Sequence, residues 1–284
     1  MEIQHIDLSD WEASGGGALG TSFCNRKDST LLLKIDNRHT PLEKMQREIS
    51  NAEIFFRLGL PTPEPGKVVT DGVRYGLTFR RISGKMSMAR AVSEAESDGQ
   101  IQEIGRRFAV LAKRVHGTVA KGTGLACVKD FIRDSIMHNP FHPEGFKSGY
   151  LEILDRLPDG DTAVHGDLHF GNVISAGGRD YLIDLDNASY GYFKFDLAMT
   201  AIVGSCGFST EEKHVDLFHC GFRSTQLFHQ ACLDTYFGKH TDPVEFERDL
   251  APYIAMRLFS IENQLGRKMD TPLTNRIWGD GTSI

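Results

Sequence analysis

The chain has 284 residues, 40% of them hydrophobic and 25% charged, the balance of an ordinary globular protein with enough apolar material for a sizeable core. A formal net charge of −6 argues against a broad nucleic-acid surface, and no apolar run nears the roughly 20 residues needed to span a bilayer. Cys24, Cys127, Cys206, Cys220 and Cys232 are scattered and form no CxxC pair, which argues against a disulfide framework or structural zinc and for a reducing compartment. Residues 1–7 carry neither a basic region nor an apolar run, so no signal peptide is read there and a cytoplasmic location is expected.

In chain order, Gly15-x-Gly17-x-x-Gly20 comes first. In a dinucleotide-binding unit such glycines open a helix. Here strand-like residues follow, which favours a hairpin folded over phosphates; a flexible surface turn is the alternative. Residues 21–24 and 30–35 read as strands around a turn at 25–29, and Lys34 lies near the end of the second. Thr40, Pro41 and Glu43 read as a helix start, with Thr40 as N-cap, Pro41 at the first helical position and Glu43 completing a capping box. Ile49, Ala52, Phe56 and Leu58 continue that helix to a stop at Gly59. Pro61, Pro63 and Pro65 predict an extended connection, and residues 68–70 and 75–79 a hairpin around Asp71-Gly72.

Helices dominate afterwards. Ile101, Ile104, Phe108, Leu111 and Val115 recur at three and four, a core-facing stripe. Further helices are expected over 128–138, 143–157, 210–237 and 243–266, and short strands over 162–164, 173–174 and 181–183. The fold class is therefore α+β, with a small β-rich N-terminal lobe over residues 1–82 and a larger, mainly helical lobe over residues 83–284.

The most informative stretch is His165-Gly166-Asp167-Leu168-His169-Phe170-Gly171-Asn172, followed by Leu182-Ile183-Asp184-Leu185-Asp186. It puts two carboxylates and an amide on and after a short loop between apolar runs. Asn172 lies five residues after Asp167, the spacing of a protein-kinase catalytic loop, and Asp184 follows where the kinase pattern places its main magnesium carboxylate. Such oxygen donors suit Mg²⁺, a hard ion. A rival reading takes His165-x-Asp167-x-His169 as zinc ligands of a hydrolase.

This constellation resembles the aminoglycoside phosphotransferase and choline kinase superfamily. The resemblance implies a protein-kinase-like two-lobe fold and transfer of the γ-phosphate of ATP (or GTP), with Mg²⁺, to a hydroxyl of a small molecule. Acceptors within the superfamily include aminoglycosides, choline, homoserine and fructosamines. It implies Asp167 as the group that orients the hydroxyl, and Asn172 and Asp184 as Mg²⁺ donors. Gly15, Gly17, Gly20 and Lys34 would hold the phosphates, with Glu48 as the lysine's best-placed partner, Glu43 and Glu53 as alternatives, and Arg81 and Ile82 beside the nucleotide. Asp186 would assist through water, His165 would support the loop backbone, and Asp196 would cap a helix and brace the loop. His169 reads as an exposed loop histidine and His116 as a helix C-terminal charge. Trp11 and Trp278 read as packing residues, and Asp130, Asp134 and Glu262 as helix-surface acids with the option of binding an amine.

Two departures from the protein kinases narrow the acceptor. Asp184-Leu185-Asp186 stands where Asp-Phe-Gly would be, and no Ala-Pro-Glu follows. A peptide-docking activation segment is therefore not expected, nor is a nucleic-acid or membrane partner. A nucleotide-binding pseudokinase is the second reading.

Overall fold

The computed structural model describes residues 3–16, 20–36 and 40–279, so Gly17 of the glycine motif lies outside the described residues. The chain opens with β1 (Gln4–His5), β2 (Trp11–Gly16), β3 (Gly20–Asn25), β4 (Leu31–Asp36), α1 (Leu42–Arg57), β5 (Pro65–Thr70) and β6 (Tyr75–Arg80). Then come β7 (Met86–Ser87), α2 (Met88–Ser93), α3 (Asp98–His116), α4 (Val128–Met137) and α5 (Glu144–Arg156). Four short strands follow, β8 (Thr162–Val164), β9 (Val173–Ala176), β10 (Arg179–Leu182) and β11 (Ser189–Gly191). The helices α6 (Lys194–Gly204), α7 (Glu211–Phe218), α8 (Phe222–Phe237), α9 (Pro243–Leu265) and α10 (Pro272–Trp278) complete it. The architecture is α+β, a sheet-rich N-terminal region and a helical C-terminal region. It forms two compact units, residues 1–86 with 174–188, and residues 87–173 with 189–284.

The first unit is built on a six-stranded sheet of order β1-β5-β6-β4-β3-β2. Side chains alternate across a strand, so on β4 the fully buried Leu33 and Ile35 pack with Trp11 and Val69 on one face. Lys34 faces the other way, paired with Ser22 on β3 and Leu77 on β6. Leu77 packs against Met45 and Ile49 of α1, so Lys34 emerges on the face that α1 covers. The helix starts one residue later than expected. Pro41 is the N-cap, extended at ψ 149, and makes no side-chain cap bond; helical dihedrals begin only at Leu42, which displaces Thr40 from the capping position. Its end before Gly59 agrees with the sequence reading.

The second unit is mainly helical and includes the antiparallel pair β8–β11, where Val164 faces Ser189. Helices α3 and α8 approach so closely that a Cβ on Gly105 would lie 2.4 Å from the Phe228 carbonyl oxygen. Another core gathers α4, α5, α6, α9 and α10 around Phe259, Ile254 and Met256. The helical pattern over 210–237 is interrupted: α7 ends where His219 turns left-handed at φ 62, and α8 restarts after Gly221. Hydrophobic periodicity survives such a break, because Phe218 of α7 and Phe228 of α8 both pack a ring against Phe170.

Glu262 is not on the surface. It is fully buried on α9, accepting from Asn139 Nδ2 (3.1 Å) and Met269 N (2.8 Å) and lying 2.8 Å from His142 Nε2. Those partners make burial of a carboxylate tolerable. Asp130 and Asp134 are exposed, and Trp11 and Trp278 are core residues, as read. No helix among the described residues is long and apolar enough to cross a membrane.

Candidate active site

The first unit contains a cavity of about 260 Å³. Of the residues singled out in the sequence, Gly20, Lys34, Glu48, Ile82 and Asp184 line it. Leu32, Phe79, Ile174 and Ile183 supply apolar wall, the usual make-up of a small-molecule pocket with a few placed polar groups. Gly15 is not among the lining residues, and neither is Arg81. The Arg81 guanidinium instead meets the Ser29 carbonyl at 3.4 Å, and the adjacent Arg80 lines the cavity.

Lys34 Nζ donates to Glu48 Oε1 at 2.9 Å and also to Asp184 Oδ1. Burial alone would favour the neutral amine. Attraction to Asp184 and Glu48 overcomes it and raises the lysine pKa well above its ordinary value. Burial also pushes the Glu48 carboxyl up, more than Lys34 pulls it down. Asp184 adopts φ +68, a left-handed conformation uncommon outside glycine that persists where the surroundings hold it. Asn51 of α1 is one such restraint, donating to the carbonyls of Leu185 (3.0 Å) and Asp186 (3.4 Å). The Asp186 carboxylate lies 3.4 Å from Lys44 Nζ.

The second unit holds the loop after β8. Asp196, fully buried in the first turn of α6, accepts the backbone N–H groups of His165 and Gly166, each at 2.7 Å. Gly166 has φ +81, where a Cβ would be strained, so the tight turn that offers both amides to one carboxylate selects glycine. Thr200, one turn further along α6, donates to Leu168 O at 3.0 Å. Asp196 therefore braces the loop, as the sequence suggested. It does not cap the helix, since Phe193 is the N-cap residue. His116 is not a free terminal charge. It is buried, 3.2 Å from Asp196 Oδ2 and 2.8 Å from Tyr236 Oη.

On this frame Asp167 presents a carboxylate that is 25% exposed. Asn172 Nδ2 donates to its Oδ2 and to its backbone oxygen, both at 3.0 Å, and Arg257 Nη2 donates to Oδ1 at 3.2 Å. Burial would raise the pKa of Asp167, but His169, Arg257 and His165 outweigh it and hold the group well below the usual carboxylate range. His169 is no exposed loop residue. Its Nδ1 accepts from Gly171 N at 3.1 Å, its ring meets Phe218 edge-on, and Nε2 lies 3.7 Å from Asp167 Oδ2. His165 is fully buried with Nδ1 accepting the Asp167 N–H at 3.3 Å. Both imidazoles thus order the loop. Among the described residues no group of three or more His, Cys, Asp and Glu side chains is placed to hold a metal ion, so this trio does not form the zinc site that the rival reading required.

The description "phosphotransferase enzyme family" matches residues 10–213. The chain belongs to that family. Relatives include the methylthioribose kinase of Bacillus cereus (strain B4264), 25% identical over 103 residues that make up 35% of this chain and 26% of the relative. The match therefore spans about a quarter of that protein's length. Among solved structures, a thermostable mutant of aminoglycoside phosphotransferase APH(4)-Ia has TM-score 0.61 at 12% identity, covering 97% of this chain and 96% of its own. The choline kinase LicA from Streptococcus pneumoniae has TM-score 0.53 at 16% identity, covering 94% and 90%. At these identities the likeness is one of fold, the protein-kinase-like fold of the phosphotransferase family.

Asn51 and Arg257 were not singled out in the sequence. Asn51 lies within an amphipathic helix and Arg257 within an apolar stretch of α9, so neither carries a motif. A polar residue among apolar neighbours was the available signal, and at Arg257 it is plain: Met256 and Leu258 on either side are fully buried.

Proposed function

We propose that this family member transfers the γ-phosphate of ATP or GTP to a hydroxyl of a small molecule with Mg²⁺. The observation that carries the proposal is the Lys34–Glu48–Asp184 group, a charged lysine between carboxylates in a largely apolar cavity. A lysine so placed suits the α- and β-phosphates of a nucleotide, and Leu32, Phe79 and Ile183 suit its base. Gly20 lines the same cavity, where the lack of a Cβ lets the backbone come near oxygen atoms. Gly15 and Gly17 complete the motif in this reading, and Arg81 and Ile82 belong to the segment beside the nucleotide.

Asp184 and Asn172 are the donors assigned to Mg²⁺. Carboxylate and amide oxygens fit that ion, which takes few protein ligands and completes its shell with phosphate and water. When bound, the ion neutralises charge on the transferred group. Asp167 orients the acceptor hydroxyl. Its depressed pKa keeps it ionised and ready to accept a hydrogen bond, while Asn172 and Arg257 fix its direction. Because the transition state of phosphoryl transfer is loose, orientation counts for more than early proton removal.

The test is thermal unfolding with ATP and Mg²⁺, against ATP with EDTA, followed by a phosphate-transfer assay on wild type and Asp167→Asn. Ligand at about 100 times its Kd adds roughly 2.7 kcal/mol, a shift of a few degrees for a chain of this size. A magnesium-dependent shift with turnover lost in Asp167→Asn is the expected result. A shift with no transfer to any acceptor would identify a pseudokinase, and no shift would remove the nucleotide assignment.

A further inference from the structure

Arg257 is a buried cation with spare donors. Its side chain is 5% exposed, its Nη2 donates to Asp167 Oδ1 at 3.2 Å, and its Nε is buried without a hydrogen-bond partner. A guanidinium carries five N–H donors in a rigid planar fork. Leaving such a group buried and short of acceptors is unfavourable, and α9 carries apolar residues on either side of it, Met256 and Leu258. Nε is enclosed by protein, so a ligand would meet the guanidinium only at its Nη end, beside the Asp167 carboxylate, and would there add an acceptor to a fork that has one.

The rest of the surroundings point the same way. The side chains that reach the Asp167 carboxylate, Asn172, Arg257 and His169, are donors or cations. An ammonium group brought next to a hydroxyl at Asp167 would meet the Arg257 charge and a carboxylate that is already engaged. A carboxylate or a second hydroxyl oxygen in the same place would give the Arg257 fork a further acceptor.

We infer that Arg257 is a specificity residue, and that the acceptor is an oxygen-rich compound such as a polyol, sugar or hydroxy acid rather than an amine. The inference rests on the kinase reading above. It is tested by measuring ADP release by the full chain with ribose, glycerate and gluconate, and with choline and kanamycin, in wild type, Arg257→Gln and Arg257→Lys. Wild type turns over at least one of the oxygen-only acceptors in preference to both amines. Arg257→Gln raises that acceptor's KM by roughly tenfold or more while the nucleotide KM moves by less than about threefold. Arg257→Lys recovers part of the loss, because it restores the charge but not the fork.

Preference for choline or kanamycin overturns the inference, and this arm needs no variant to fold. A rise in nucleotide KM with acceptor KM unchanged also overturns it, placing the guanidinium on a nucleotide oxyanion. Both results leave the kinase reading intact. Loss of that reading shows itself separately, as a wild-type protein that binds no magnesium nucleotide.

Discussion

Asn51 donates its side-chain amide to the backbone carbonyl of Leu185 at 3.0 Å, joining positions 134 apart in the chain. The bond ties α1, which carries Glu48, to the residue after Asp184. The expected outcome of Asn51→Leu is a loss of about 1–3 kcal/mol, the cost of leaving a buried carbonyl unsatisfied. With Asp184 less well held in its left-handed conformation, nucleotide affinity falls as well. Urea unfolding and nucleotide titration check both, and an unchanged midpoint with unchanged affinity would show that the bond restrains nothing.

Asp196 accepts two backbone amides of the loop that carries Asp167. Asp196→Asn keeps the shape but replaces one acceptor oxygen with an NH₂ group that faces an N–H donor. Hydrogen bonds to a charged group are worth about 1.5–3 kcal/mol each, so a loss of about 3 kcal/mol is expected. Turnover should fall along with stability. Denaturant midpoints of this variant and of Thr200→Val, which removes the neighbouring bond to Leu168, would rank the two braces, with Asp196 the larger.

Asp167→Asn removes the carboxylate while preserving the Asn172 contacts in outline. A loss of about 10²–10⁴ in kcat is expected, with nucleotide affinity near that of wild type. The folded pKa of Asp167 is depressed below 3.8. Its favourable contribution to stability is therefore complete above that value and is lost only as pH falls below it. An acidic limb in kcat/KM between about pH 5 and 8 must then come from another group. A limb in that range that disappears in Asp167→Asn assayed at residual activity would contradict the assignment.

His229 is buried on α8, its Nε2 has no hydrogen-bond partner, and burial lowers its pKa from 6.5 to about 4. Between those values the unfolded chain binds a proton that the folded protein refuses, so stability falls as pH drops from about 6.5 to 4. At 1.36 kcal/mol per pKa unit the full effect is about 3 kcal/mol. His229→Gln has no such group, and its stability should vary less across this window. Urea midpoints at several pH values for the two proteins provide the comparison; parallel curves would exclude His229 as the source.

Gly105→Ala sets two effects against each other. Alanine in a helix interior is favoured over glycine by about 1 kcal/mol. The new Cβ, however, would lie 2.4 Å from the Phe228 carbonyl oxygen, and backbone cannot yield as a side chain can. Overpacking of this kind costs about 1–3 kcal/mol or more, so net destabilisation is expected. A raised melting temperature would mean that α3 and α8 slide apart without loss.

Several features of this protein follow from local chemistry and were legible in the chain. The strands around residues 21–35, the helix that ends before Gly59 and the stripe of Ile101, Ile104, Phe108, Leu111 and Val115 depend on periodicity and turn residues, which act over a few positions. The His165–Asn172 motif was equally visible, because the loop needs its Asp, Gly and Asn at set spacing. The bracing role of Asp196 is legible only through family likeness, and Asp196 does not cap α6 because its oxygens go to amides 30 and 31 residues away.

Other features depend on which segments meet. The grouping of residues 174–188 with residues 1–86 rather than with their chain neighbours joins positions far apart, and no local pattern records that. The same holds for the burial of Glu262 beside His142 and for the meeting of Arg257 with Asp167 across 90 positions. The amino-acid sequence by itself determined the fold class, most of the elements and the chemical groups of the Asp167 loop, since these are set by near neighbours. Only the tertiary structure decided which cations and amides surround each carboxylate, because that environment is assembled from distant residues whose own periodicity calls merely for a buried or an exposed position.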